Sequence, residues 1–164
     1  MHAEFVWAFE RGKLYFSKRF TQLGHKEYPR LLEEALMKGT PESVIQSLSA
    51  PGLFTAEAPN GSAEVFGWDE FNKYYMRALC SLVLAHPNHE LIITRGRIST
   101  DKRNSSEAQL GRRKDAQEFL TQLRNSPKIN PFGAYSGLTL TIRKRKSFPE
   151  AQAGNRSAML SQRR

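Results

Sequence analysis

Residues 69–94 read DEFNKYYMRALCSLVLAHPNHELIIT, and this stretch decides the fold. Phe71, Tyr74, Tyr75, Ala78, Leu79, Leu82 and Val83 recur at steps of three and four, which places them on one face of a helix. Asp69 suits the N-cap position, and Pro87 stands just past the end. The spacing predicts a helix over 69–85 with this stripe turned to the core. His86-Pro87-Asn88-His89 then turns the chain. Leu91-Ile92-Ile93-Thr94 is apolar and β-branched, and predicts a strand running on towards Ile98. A long amphipathic helix that feeds a strand points to a mixed core of helices and sheet. Tyr74 and Tyr75 could serve as a base-stacking platform, but aromatics on such a stripe are core residues first.

Outward towards the N-terminus, Tyr28, Leu31, Leu32, Ala35 and Leu36 form one helical face over 28–38, and Gly39 stops it. Thr40 as N-cap and Pro41 at the first helical position open a second helix with Val44, Ile45 and Leu48 inward. The outer side of that helix (Glu42, Ser43, Gln46, Ser47) carries no cation, so the pair reads as core packing rather than a DNA-reading helix-turn-helix. Residues 4–16 read as a short hairpin: Phe5 to Phe9, a turn at Glu10-Arg11-Gly12-Lys13, then Leu14-Tyr15-Phe16. Residues 50–67 read as a loop in which Asn60-Gly61 is a turn dipeptide.

Outward towards the C-terminus, residues 99–112 are polar and read as a loop. Ala116, Phe119, Leu120 and Leu123 predict a helix over 114–123. Leu138, Leu140 and Ile142 alternate with Thr139, Thr141 and Arg143, the pattern of a half-buried strand. Beyond Lys146 the apolar pattern ends. The expected fold is α+β: a single domain over 1–146 with about four helices and a small, largely antiparallel sheet, followed by a basic polar tail over 147–164 that is disordered alone.

The chain has 164 residues, one domain's worth, and a formal charge of +9. That charge is segregated. Arg95, Arg97, Lys102, Arg103, Arg112, Arg113 and Lys114 meet two acids, giving +5 over 95–114. Arg143, Lys144, Arg145, Lys146, Arg156, Arg163 and Arg164 meet one acid, giving +6, and the rest of the chain carries −2. Two basic segments on a nearly neutral body suggest an anionic partner. The candidate partner-binding or nucleic-acid-binding residues are Arg95, Arg97, Lys102, Arg103, Arg112, Arg113, Lys114, Arg143, Lys144, Arg145 and Lys146. On a strand, Arg95 and Arg97 project from one face and can grip phosphate or carboxylate with planar forks.

Several chemistries lack their parts. Neither a phosphate-cradling glycine loop nor a GxSxG or HExxH motif occurs. Cys80 is the single cysteine, so an internal disulfide is impossible, and its place in a helix reads as a buried thiol. His86 and His89 share a turn, but two ligands make a weak metal site. Glu90, Asp101 and Glu107 lie near cations without the clustering a metal-dependent nuclease needs. No cofactor and no catalytic residue is expected. No apolar run approaches the ~18 residues of a membrane helix. Met1-His2-Ala3-Glu4 lacks a basic region followed by an apolar stretch, so no signal peptide is expected and the sequons at Asn60, Asn104 and Asn155 read as chance matches.

The run from Phe71 to Cys80, the strand after it and Ser105-Ser106-Glu107-Ala108 resemble small proteins encoded among the structural genes of tailed bacteriophages. The resemblance spans about residues 25 to 140. It implies an oligomeric virion or assembly component, located in the particle or the host cytoplasm, with no catalytic residues to carry over. The expected function is therefore a non-enzymatic structural or interaction protein that docks on other subunits through its basic loop and tail. The alternative is a small nucleic-acid-binding regulator or inhibitor, with a nuclease as a third reading. The nucleic-acid reading requires the two basic segments to converge on one face.

Overall fold

The computed structural model describes residues 1–97, 104–126, 130–133 and 136–145. Its elements in chain order are α1 (His2–Glu10), α2 (Gln22–Lys38), α3 (Pro41–Leu48), α4 (Ser62–Ala85), β1 (His89–Arg95), α5 (Asn104–Glu107), β2 (Arg113–Lys114), α6 (Ala116–Asn125) and β3 (Leu138–Lys144). The three strands form an antiparallel sheet in the order β2-β1-β3. The α+β class therefore holds, with five helices of eight or more residues. The tail over 147–164 lies outside the described residues.

Helix α4 is the spine and joins two cores. Its first half puts Phe71 and Tyr74 among α1, α2 and α3, with Phe5, Tyr28, Leu32 and Leu48. Its second half puts Met76, Cys80 and Val83 against Leu91, Ile93, Leu138 and Leu140 of the sheet and against Phe119, Leu120 and Leu123 of α6. The caps at Thr40 and Gly39 match the sequence. Thr40 accepts from the Ser43 amide, and Gly39 adopts φ 79°.

Four expectations are corrected. Residues 4–16 are not a hairpin. Phe5 and Ala8 sit three apart on a helix face buried against α4, so tertiary burial overrides the aromatic strand propensity. Residues 62–67 are helical, and α4 starts two turns before Asp69. Gly61 takes φ 79° before its first turn, so Asn60-Gly61 ends a loop rather than turning a hairpin. Residue 67 must be glycine because α3 crosses there, and a Cβ would lie 2.8 Å from the Ile45 Cα. Leu82, expected inward, is 47 % exposed. Finally, α2 starts six residues earlier than expected, and Pro29 lies inside it.

The burial on α4 is less apolar than its stripe suggests. Glu70, Asn72, Lys73 and Arg77 are all buried. The Lys73 Nζ lies 2.6 Å from Glu70 Oε2, and the Tyr28 hydroxyl donates to the same oxygen at 2.8 Å. The Arg77 Nη2 donates to the Leu123 carbonyl at 2.5 Å. Glu4 of α1 accepts from Arg124 of α6 at 2.7 Å and from the Ser81 hydroxyl at 2.8 Å. These contacts fasten α1, α2 and α6 to one helix.

Candidate interaction surface

The basic residues fall into two groups, at opposite ends of β1. The ends lie about 17 Å apart at ~3.3 Å per residue from Glu90 to Arg95. At the far end, Arg95 donates to Glu107 Oε1 at 2.5 Å and to the Ser136 carbonyl at 3.2 Å. Arg97 is bonded to Glu64 and lies over the Trp68 ring at 6.0 Å. The two do not share a strand face as expected. β1 ends at Arg95, and the Gly96 and Arg97 amides both donate to the Gly137 carbonyl, which breaks the alternation. Each of these arginines is bonded to a carboxylate of the chain itself.

At the near end, the register sets Arg143 opposite Glu90 and Lys144 opposite His89 on one side of β1. It sets Lys114 opposite Leu91 and Arg113 opposite Ile92 on the other. The Glu90 carboxylate is 7 % exposed, yet it lies on the outer face between two edge strands. Its Oε1 accepts from Arg143 at 2.8 Å and its Oε2 from Arg113 at 3.0 Å. Glu90 thus bridges all three strands and holds two guanidinium forks. Their side chains remain 53 % and 73 % exposed, so their outer donors face solvent. Arg145 donates to the His89 carbonyl at 3.1 Å. Lys114 sits over the Phe119 ring at 5.3 Å. Arg112 and Lys144 are exposed and have no carboxylate partner among the described residues. Lys102, Arg103 and Lys146 lie outside the described residues.

Only Arg112–Lys114 of the first basic segment therefore meet the second at one sheet end, with a single buried acid, Glu90, between them, while Arg95 and Arg97 lie at the other end. On the other face of the same sheet end, the face turned to α4, is an apolar cleft of about 290 Å³ lined by Leu82, Val83, His86, His89 and Ile142. Burial pushes the Cys80 thiol up to about 12, which leaves it a protonated core group rather than a nucleophile. Among the described residues, no group of three or more His, Cys, Asp or Glu is placed to hold a metal ion. No helix among them is long and apolar enough to cross a membrane.

Neither a protein-family model, nor a curated protein, nor a solved structure matches this chain.

Sequence reasoning found the cations but missed Glu90 as their organiser. It treated that residue as a possible metal ligand. The alternation Glu90, Ile92, Thr94 against Arg143, Thr141, Thr139 was the available signal, but cross-strand register is needed to use it. Glu64 and Glu107 as partners of the far group carried no sequence signal, since two helices, α4 and the single turn α5, deliver them from a distance.

Proposed function

We propose that this chain is a non-enzymatic interaction protein, a subunit of a multi-subunit particle of the phage type, which docks on an acidic protein surface through the near end of its sheet. The observation that carries this reading is the convergence of Arg112–Lys114 with Arg143–Arg145 at the sheet end organised by Glu90, with an apolar cleft on the other face of that end. Cations alone would serve a phosphate backbone equally well. The leucine and valine of that cleft, on the face shared by Lys144, favour a protein partner, whose interface joins an apolar centre to a charged rim. The resemblance of residues 25–140 to phage structural proteins supplies the setting.

The test titrates fluorescein-labelled poly-glutamate and a ~20-bp DNA duplex into the protein across a salt series, with wild type and Arg143→Glu/Lys144→Glu. The expected result is poly-glutamate binding that the charge reversal abolishes, and weaker duplex binding. Tight duplex binding with a steep salt slope and no poly-glutamate binding would transfer the function to nucleic acid.

A further inference from the structure

The register of β3 has a consequence for its outer edge. In an antiparallel pair, residues bonded to the neighbouring strand alternate with residues whose backbone groups point away. The Gly96 amide donates to the Gly137 carbonyl at 2.8 Å, and the Arg145 amide to the Asn88 carbonyl at 2.8 Å. These two bonds fix the phase. Thr139, Thr141 and Arg143 bond to β1. Leu138, Leu140, Ile142 and Lys144 turn their N–H and C=O groups outward.

At Leu138 that outer edge is occupied. Its carbonyl accepts from Asn72 Nδ2 of α4 at 2.9 Å, and the Thr139 hydroxyl donates to Asn72 Oδ1 at 2.5 Å. Its amide donates to the Ser136 hydroxyl at 3.3 Å. Asn72 thus terminates the edge at one point. Leu140 is 1 % exposed, so its outward backbone groups are covered. Those of Ile142 and Lys144, further along the strand, have no partner among the described residues. A cleft of about 390 Å³ lies over the sheet face rather than along this edge, with Thr94 and Gly96 beside Thr139 and Thr141, and Glu42, Phe71 and Tyr75 on the helix side. An edge strand left unpaired is a template for another strand.

We propose that an extended acidic segment of the partner protein adds to β3 as a fourth strand, pairing with the outward backbone of Ile142 and Lys144. This rests on the docking reading above and names how the partner is held. Backbone hydrogen bonds give the grip, and alternate side chains of the segment lie on the face that carries the apolar cleft of Leu82, Val83 and Ile142. Charge selects the occupant. Arg143, Lys144 and Arg145 follow one another along this edge, so an incoming strand gains by carrying carboxylates. A second copy of the chain brings the same cations and a net +9, so repulsion opposes self-pairing.

The experiment uses the full chain and two synthetic peptides. One is acetyl-Glu-Val-Asp-Val-Glu-Val-Asp amide. The other has the same sequence with alternate amides N-methylated, in versions blocking either pairing face. N-methylation leaves the charge and removes the donors that strand addition needs. Fluorescence anisotropy gives affinity, and amide hydrogen exchange gives the contact. The expected result is about tenfold or greater loss of affinity for one N-methylated version. The Ile142 and Lys144 amides should become protected on binding, while the Thr141 amide, already bonded to β1, should change little. Suppose all peptides bind equally and Arg143→Glu/Lys144→Glu abolishes binding. Strand addition is then overturned while docking on an acidic surface stands. If no peptide binds and poly-glutamate also fails, both fall.

Discussion

Replacing Lys73 by methionine tests the charge arrangement inside α4. The Lys73 Nζ lies 2.7 and 2.6 Å from the two oxygens of Glu70, and the two side chains are 3 % and 4 % exposed. Methionine keeps most of the stem and its packing, a change that by itself costs under ~1.5 kcal/mol. It also leaves the Glu70 carboxylate in the interior with the Tyr28 hydroxyl still donating but no ammonium. Breaking one side of a buried pair costs about 3–5 kcal/mol. The electrostatic loss therefore dominates the packing loss. With a urea slope of ~2 kcal/mol/M, the midpoint should fall by ~1.5–2.5 M. The double variant Glu70→Gln/Lys73→Met removes both charges of the pair and keeps an acceptor for Tyr28, so it should recover most of that loss. The assay is urea unfolding followed by tryptophan fluorescence and circular dichroism. A single-variant cost below ~1 kcal/mol would refute the reasoning. So would a double variant as unstable as the single, since removing both charges should relieve the penalty.

Three further outcomes are expected. Burial raises the Glu4 carboxyl, but the Arg124 and Ser81 hydrogen bonds and the Arg124 and Arg77 charges outweigh it, so it lies below its ordinary 4.5. Its contribution to stability is therefore full above 4.5 and lost as pH falls through the lower folded value. Urea midpoints for wild type and Glu4→Gln should converge as the solution is acidified, and a constant gap would contradict this. The Cys80 thiol, pushed up to about 12 by burial, should react with a thiol reagent at pH 8 only as fast as the protein unfolds. Labelling faster than unfolding would place the thiol at the surface. Gly67→Ala should gain ~1 kcal/mol of helix propensity and lose ~1–3 kcal/mol to the clash with Ile45, a net destabilisation read by thermal melting.

The long-period features of this fold were legible. The α3 cap at Thr40-Pro41, the β1 apolar run and the alternation of β3 are local patterns, and each appears where the sequence places it. Where the reading failed, a distant partner decided. Phe5 to Phe9 have strand-forming side chains, but α4 offers a groove that a helix fills better. The α4 stripe was drawn from apolar residues alone, and it left Glu70, Lys73 and Arg77 unassigned although all three are buried. Their burial depends on one another and on Tyr28, 42 residues away along the chain from Glu70. The candidate surface divides in the same way. The cations could be counted, but which of them are neutralised by Glu64, Glu107 and Glu90 depends on register and packing.

Helix α4 contributes to both cores, and this bears on how the domain can come apart. Neither the helical half nor the sheet half owns a complete interior, because each borrows one end of the same rod. Cutting the chain within 62–85 would therefore leave two fragments without a fold rather than two modules. Loss of either core should melt the other, so unfolding should proceed as one transition with no stable half-molecule. Strain applied at the sheet end would be felt where α3 crosses at Gly67, about five turns along a rigid shaft.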